Sequence, residues 1–100
     1  MKAKKRYLSY KIEGQTLDEK TLKTMLRKAV SRFIGEMGSS EANAKLIAFN
    51  TPTNEFVLRC ATNQLEQVIA AITLITSYNS KPLALRLQGM SGSIKHVWSY

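Results

Sequence analysis

Leu83-Ala-Leu-Arg-Leu-Gln-Gly-Met-Ser-Gly-Ser-Ile-Lys95 reads as a strand that ends in a small polar and basic cluster. Leu83, Leu85 and Leu87 alternate with Ala84, Arg86 and Gln88, the period of two that a half-buried strand requires. The leucines face a core, which turns Arg86 and Gln88 the other way. Gly89 and Gly92 are expected to break the ladder, with Ser91, Ser93, Lys95 and His96 close by. Glycine lets backbone N–H groups approach an anion, serine adds donors and lysine adds charge, so the cluster is a candidate phosphate site. A plain strand followed by a tail has the same pattern.

Upstream of this strand, Asn79-Ser-Lys-Pro82 ends a helix expected over residues 65–78, opened by a weak capping pair, Asn63 and Glu66. Its Leu65, Val68, Ile69, Ile72, Leu74, Ile75 and Tyr78 are apolar over more than one stripe, wider than a helix resting on a sheet needs. Either the helix is sandwiched deep in its own fold or part of it meets another chain. Leu65, Ile69, Leu74 and Tyr78 are the candidate protein-interface residues. Before it, residues 44–61 form a hairpin. One strand runs 44–50, Asn50-Thr-Pro-Thr-Asn54 turns, and a second strand runs 55–61 with Phe56, Leu58 and Cys60 inward. In the first of these strands Ile47 and Phe49 alternate with Leu46 and Ala48, which leaves its inward side open.

The N-terminal half begins with a basic arm, residues 1–5. A strand over 6–13 follows, with Leu8, Tyr10 and Ile12 on one face, and Gly14 ends it. Thr16-Leu-Asp-Glu19 has the form of a capping box for a helix over about 17–34. Leu22, Met25, Leu26, Ala29, Val30, Phe33 and Met37 make its buried stripe, and Gly35, Gly38, Ser39 and Ser40 close it. Lys20, Lys23, Arg27, Lys28 and Arg32 lie mostly outside that stripe, either as a phosphate track or as an ordinary solvated face. The order is therefore β-α-β-β-α-β. With right-handed crossovers this predicts an α+β, ferredoxin-like (RNA-recognition-motif-like) domain over residues 1–100, with 96–100 as a short tail. A four-stranded antiparallel sheet carries both helices on one face.

Charge narrows the function. Fifteen Lys and Arg against seven Asp and Glu give +8 and a pI near 9.9, the balance of a domain whose partner is a polyanion. No apolar run approaches the ~20 residues of a membrane span and no signal-peptide pattern opens the chain, so no membrane role and a cytoplasmic location are expected. Lone Cys60 has no disulfide or metal partner in the sequence, and His96 has no carboxylate or serine at relay spacing. No catalytic or metal-binding residues are expected. The sheet face opposite the helices would show Tyr7, Ser9, Lys11, Arg59, Arg86 and Gln88. One aromatic among three cations suits RNA bound through shape and phosphate, with little base reading. The candidate RNA-binding residues are Lys4, Lys5, Arg6, Lys11, Arg59, Arg86, Ser91, Ser93 and Lys95.

Arg6-Tyr-Leu8, Thr53-Asn-Glu-Phe-Val-Leu-Arg-Cys60, Ala71-Ile-Thr-Leu-Ile75 and Ser91-Gly-Ser-Ile-Lys95 together resemble the ribonuclease P protein component 2 family. These are the small Pop-type protein subunits of archaeal and eukaryotic ribonuclease P. Asn54 stands where that family usually has glycine, and Ser93 where threonine is usual. The resemblance implies a subunit of an endoribonuclease ribonucleoprotein whose catalyst is an RNA that uses Mg2+ to remove the 5′ leader of precursor tRNA. The chain would bind no cofactor itself. Its implied partners are ribonuclease P RNA, precursor tRNA indirectly, and ribonuclease P protein component 3 with other protein subunits, as a homodimer or a two-by-two heterotetramer. A small-molecule regulatory domain or a general RNA-binding module of the same topology is the alternative. The charge argues against the former.

Overall fold

The computed structural model describes residues 4–92, without the side chains of residues 36 and 38–41. Strand β1 (Lys5–Glu13) leads into α1 (Glu19–Ala42), then into the hairpin of β2 (Lys45–Asn50) and β3 (Glu55–Ala61). A 3₁₀ turn, Thr62–Gln64, precedes α2 (Leu65–Thr73). A minimal hairpin, β4 (Ser77–Tyr78) and β5 (Lys81–Pro82), then joins α2 to β6 (Ala84–Ser91). The four long strands form one antiparallel sheet in the order β2-β3-β1-β6, with β1 and β3 central, as the ferredoxin-like plan requires.

Leu8, Tyr10 and Ile12 of β1 and Phe56, Leu58 and Cys60 of β3 are buried in one core with Leu22, Leu26 and Val30 of α1 and Val68, Ala71 and Ile72 of α2. Tyr10 lies opposite Phe56 in the ladder and stacks on it, ring centroids 5.3 Å apart and 10° from parallel. Burial pushes the Cys60 thiol up to about 11, so at neutral pH it is a small hydrophobe rather than a nucleophile.

Two bulges decide what periodicity left open. Leu46 pairs with Leu58 but Ala48 with Val57, so Ile47 is an extra residue in β2. The extra residue flips the phase, and Leu46 and Phe49 both pack on the core. In β6, Gly89 pairs with Ser9 and Leu87 with Tyr10, so Gln88 is extra and the strand runs on through Gly89 to Ser91. The expected break at Gly89 is a bulge instead. Leu87, on the edge strand, is more exposed than the alternation implied.

The helices also depart from expectation. Helix α1 starts two residues later than a Thr16 cap implies, because Asp18 is the cap. Its carbonyl accepts the Leu22 N–H at 3.0 Å. The Thr21 hydroxyl and backbone N–H donate to its carboxylate and hold it below the usual carboxylate range. Leu17 and Leu22, on either side of the cap, are both buried, the spacing of a hydrophobic staple. At Gly35 (φ 76°, ψ 174°) the backbone leaves helical geometry, then re-enters it and continues to Ala42, where a polar connection was expected. Phe33 and Met37 drop out of the buried stripe there and are exposed.

Helix α2 stops at Thr73 rather than running to Tyr78, and no side chain caps its start, so Asn63 and Glu66 form no box. The carbonyls beyond it are claimed from elsewhere. The Leu83 N–H donates to Thr76 O, and Gln15 Nε2 donates to the carbonyls of Tyr78, Lys81 and Pro82 at 3.0, 2.9 and 3.3 Å. Asn79 and Ser80, at φ 52° and 65°, turn β4 into β5 with the handedness of a two-residue hairpin. The apolar width of residues 65–78 therefore belongs to a short helix followed by a hairpin, not to one broad helix.

Candidate nucleic-acid interface

The ladder places the candidate cations at two ends of the sheet. At one end, Lys11 pairs with Arg86 on one side and Glu55 on the other. Glu13 lies two residues along β1 from Lys11, and Arg86 Nη2 meets its carboxylate at 3.2 Å. Two cations there face two carboxylates, so this end carries little net field.

The opposite end gathers Lys4, Lys5 and Arg6 at the start of β1 with Arg59 of β3. Lys4 is held in place, since its carbonyl accepts the Thr62 N–H at 2.8 Å. Arg6 pairs with Cys60 and so lies on the helix-side phase. Its Nη1 sits where a side chain on Gly92 would meet it, at 3.2 Å. Ser91 pairs with Tyr7 at the same end. Ser93 and Lys95 lie outside the described residues. Sequence reasoning missed Lys45, which the hairpin register sets directly opposite Arg59. Its signal was the basic residue opening β2, legible only with that register. No carboxylate pairs with any of these residues in the ladder, and among the described residues none of these cations has an ion-pair partner.

Between the two ends the open face is closed to bases. Ser9 and Val57 are buried there, and Tyr7 is half-buried. The Ser9 hydroxyl donates to Gln88 Oε1 at 3.4 Å. This arrangement offers phosphates a charged rim rather than offering bases an aromatic platform.

The candidate protein-interface residues separate as well. Leu65, Ile69 and Tyr78 pack partly against the core, whereas Leu74 is 66% exposed. Leu74 lines a groove of about 650 Å3 between α1 and residues 71–78, together with Phe33, which is 45% exposed and was read as core. Lys20, Lys28 and Arg32 also line it. Among the described residues no three His, Cys, Asp or Glu side chains converge as a metal site, and no helix is long and apolar enough to cross a membrane.

Comparisons with known proteins agree with this architecture. A structure of yeast ribonuclease MRP contains a chain that superposes with a TM-score of 0.70 over 93% of this chain and 77% of that one, at 14% identity, a likeness of fold. Ribonuclease P protein component 2 of Pyrococcus furiosus is 30% identical over 98 residues, 97% of this chain and 82% of the relative. Its counterpart from Methanocaldococcus jannaschii is 33% identical over 96 residues, 95% of this chain and 70% of the relative. The family model for Rpp14/Pop5 proteins matches residues 6–100. The chain belongs to the Rpp14/Pop5 family.

Proposed function

We propose that this chain is the RNA-binding protein subunit of a ribonuclease P, the endoribonuclease ribonucleoprotein that removes the 5′ leader of precursor tRNA. The observation that carries the reading is the uncompensated basic end of the sheet, Lys4, Lys5, Arg6, Lys45 and Arg59, on a member of this family. Cations held on a rigid ladder take the place of diffuse counterions where RNA phosphates crowd, and so favour the compact RNA. On this reading the RNA, with its Mg2+, performs the hydrolysis in the cytoplasm. On the same reading the protein acts by binding and supplies no reacting group.

The groove holding Phe33 and Leu74 is the surface offered to another protein subunit, with a protein of the component 3 type as the partner. Exposed apolar side chains rimmed by cations suit a partner that brings both apolar anchors and carboxylates.

Reconstitution with the cognate RNA and protein subunits tests the reading. Precursor-tRNA cleavage is expected to need the chain most at low Mg2+, and high Mg2+ is expected to restore part of the activity lost without it. Cleavage indifferent to the chain at every Mg2+ concentration would remove the proposal. Leu74→Glu is expected to weaken subunit association while the free protein stays folded. An unfolded variant would place Leu74 in the core after all.

A further inference from the structure

Lys45 and Arg59 sit directly opposite each other across the β2–β3 ladder. Like charges in that position destabilise a sheet unless something neutralises them. Nothing within the described residues does so. The Arg59 Nε is buried without a hydrogen-bond partner, and neither side chain has an ion-pair partner. The same Lys45 lines a second, smaller groove at the β2 edge, about 250 Å3, with Lys23 and Arg27 of α1. Its floor is Leu26, Ala44, Leu46 and Leu58, and among the described residues no carboxylate lines it. Lys23 and Arg27 are four residues apart and so neighbours on one helix face. Among the described residues Glu19 reaches Lys23 at 4.0 Å and is itself exposed.

We infer that Arg59, Lys45, Arg27 and Lys23 form one phosphate-binding band, which carries an RNA strand from the basic end of the sheet around the β2 edge and onto α1. The inference rests on the RNA-binding reading above and extends it to a surface on the helix layer. The band joins three elements through Lys45, which belongs to both the ladder pair and the groove. Its course over an edge, rather than into an enclosed cavity, suits a chain of phosphates better than a single small anion. The chemistry also separates RNA from an acidic protein. The large exposed apolar residues Phe33, Met37, Leu74, Leu87 and Met90 all lie outside this groove, whose leucines Leu26 and Leu58 are buried and whose Leu46 is half-buried. A protein partner would find no large exposed apolar anchor here, whereas a phosphate backbone needs none.

The test is a titration of the full chain with the labelled catalytic-domain RNA of the cognate ribonuclease P, at 50 and 200 mM salt. Lys23→Ala/Arg27→Ala is the variant, because both side chains leave from one helix face and melting checks its fold. Two lost phosphates should flatten the slope of log K against log salt by about 1.5, so the affinity gap from the parent narrows roughly eightfold between the two salts. Lysine acetylation with and without RNA should show Lys23 and Lys45 protected and Lys81 unprotected. A folded double variant with the parental slope, or Lys23 acetylated equally with RNA bound, overturns the inference and leaves the ribonuclease P reading standing. A double variant that binds RNA normally but loses a protein subunit assigns the groove to an acidic protein and overturns it too. A parent chain whose RNA affinity is low and flat in salt would instead bring down the underlying reading.

Discussion

The two ends of the sheet differ in what their polar residues are engaged with. At the Glu13–Glu55 end several polar groups are tied to specific neighbours, although Asn54 Oδ1 is buried without a hydrogen-bond partner among the described residues. Gly14 at φ 94° brings the chain against the Pro82 carbonyl, and Gln15 holds three carbonyls of the β4–β5 hairpin. Asn54 at φ 60° donates to Ile12 O at 2.8 Å and Gln15 O at 2.9 Å, while its own carbonyl accepts the Ile12 N–H. At the Lys5–Ala61 end the cations face one another or solvent, without carboxylates in the ladder. One end locks the topology, and the other keeps its charge available. The contrast assigns each candidate residue to stability or to binding before any measurement.

Substitution at the locked end should have the largest effect. Gly14→Ala would place a Cβ 2.8 Å from the Pro82 carbonyl oxygen in a backbone region that side chains avoid. A loss of about 3 kcal/mol is expected in a denaturant titration. A melt unchanged by Gly14→Ala would break the comparison at its structural end.

The charged end should respond in RNA binding and not in stability. Lys4→Ala/Lys5→Ala/Lys45→Ala is expected to flatten the salt slope by about 2 to 3 and to move the melting curve little. Lys11→Ala/Arg86→Ala, taken from the compensated end, should change the slope far less, because exposed Arg86 already meets Glu13. Equal slopes for the two variants would erase the distinction between the ends.

Asn54 sharpens the comparison at smaller scale. Asn54→Ala loses two side-chain hydrogen bonds and keeps the positive φ, for about 1 to 3 kcal/mol. Asn54→Gly should cost less than Asn54→Ala, because glycine adopts that φ freely. Asparagine tolerates this φ better than most other residues with a side chain, which is why it can serve here. If the order of the two variants is reversed, the side-chain bonds and not the backbone angle set the residue.

The smallest expected effect is at the Asp18 cap. Its carboxylate titrates below its ordinary value when folded, so it adds stability at neutral pH. That stability is lost as pH falls through the folded-state value. Asp18→Asn should therefore flatten the acid limb of a melting-temperature profile and leave RNA binding unchanged.

The order of the long elements, the inward faces of β1 and β3, and the excess of cations were legible in the residues alone, because period, capping chemistry and charge are local properties. The resemblance carried by Arg6-Tyr-Leu8 and the β3 segment was equally local. What the chain could not show by itself was anything that depends on register. The bulge at Ile47 turns Leu46 and Phe49 to the same side, and no period of two can announce an inserted residue. The end of α2 was hidden because the β4–β5 hairpin that replaces its expected last turn is held by Gln15, about sixty residues away in sequence. Composition counted Lys45 and Glu13 only as charges. Strand register set one opposite Arg59 and brought the other within ion-pair distance of Arg86. Local chemistry determines which residues can bind a polyanion. Only the tertiary register decides which of them remain unpaired to do it, since neutralisation falls off within a few ångströms and those distances are set by strand alignment.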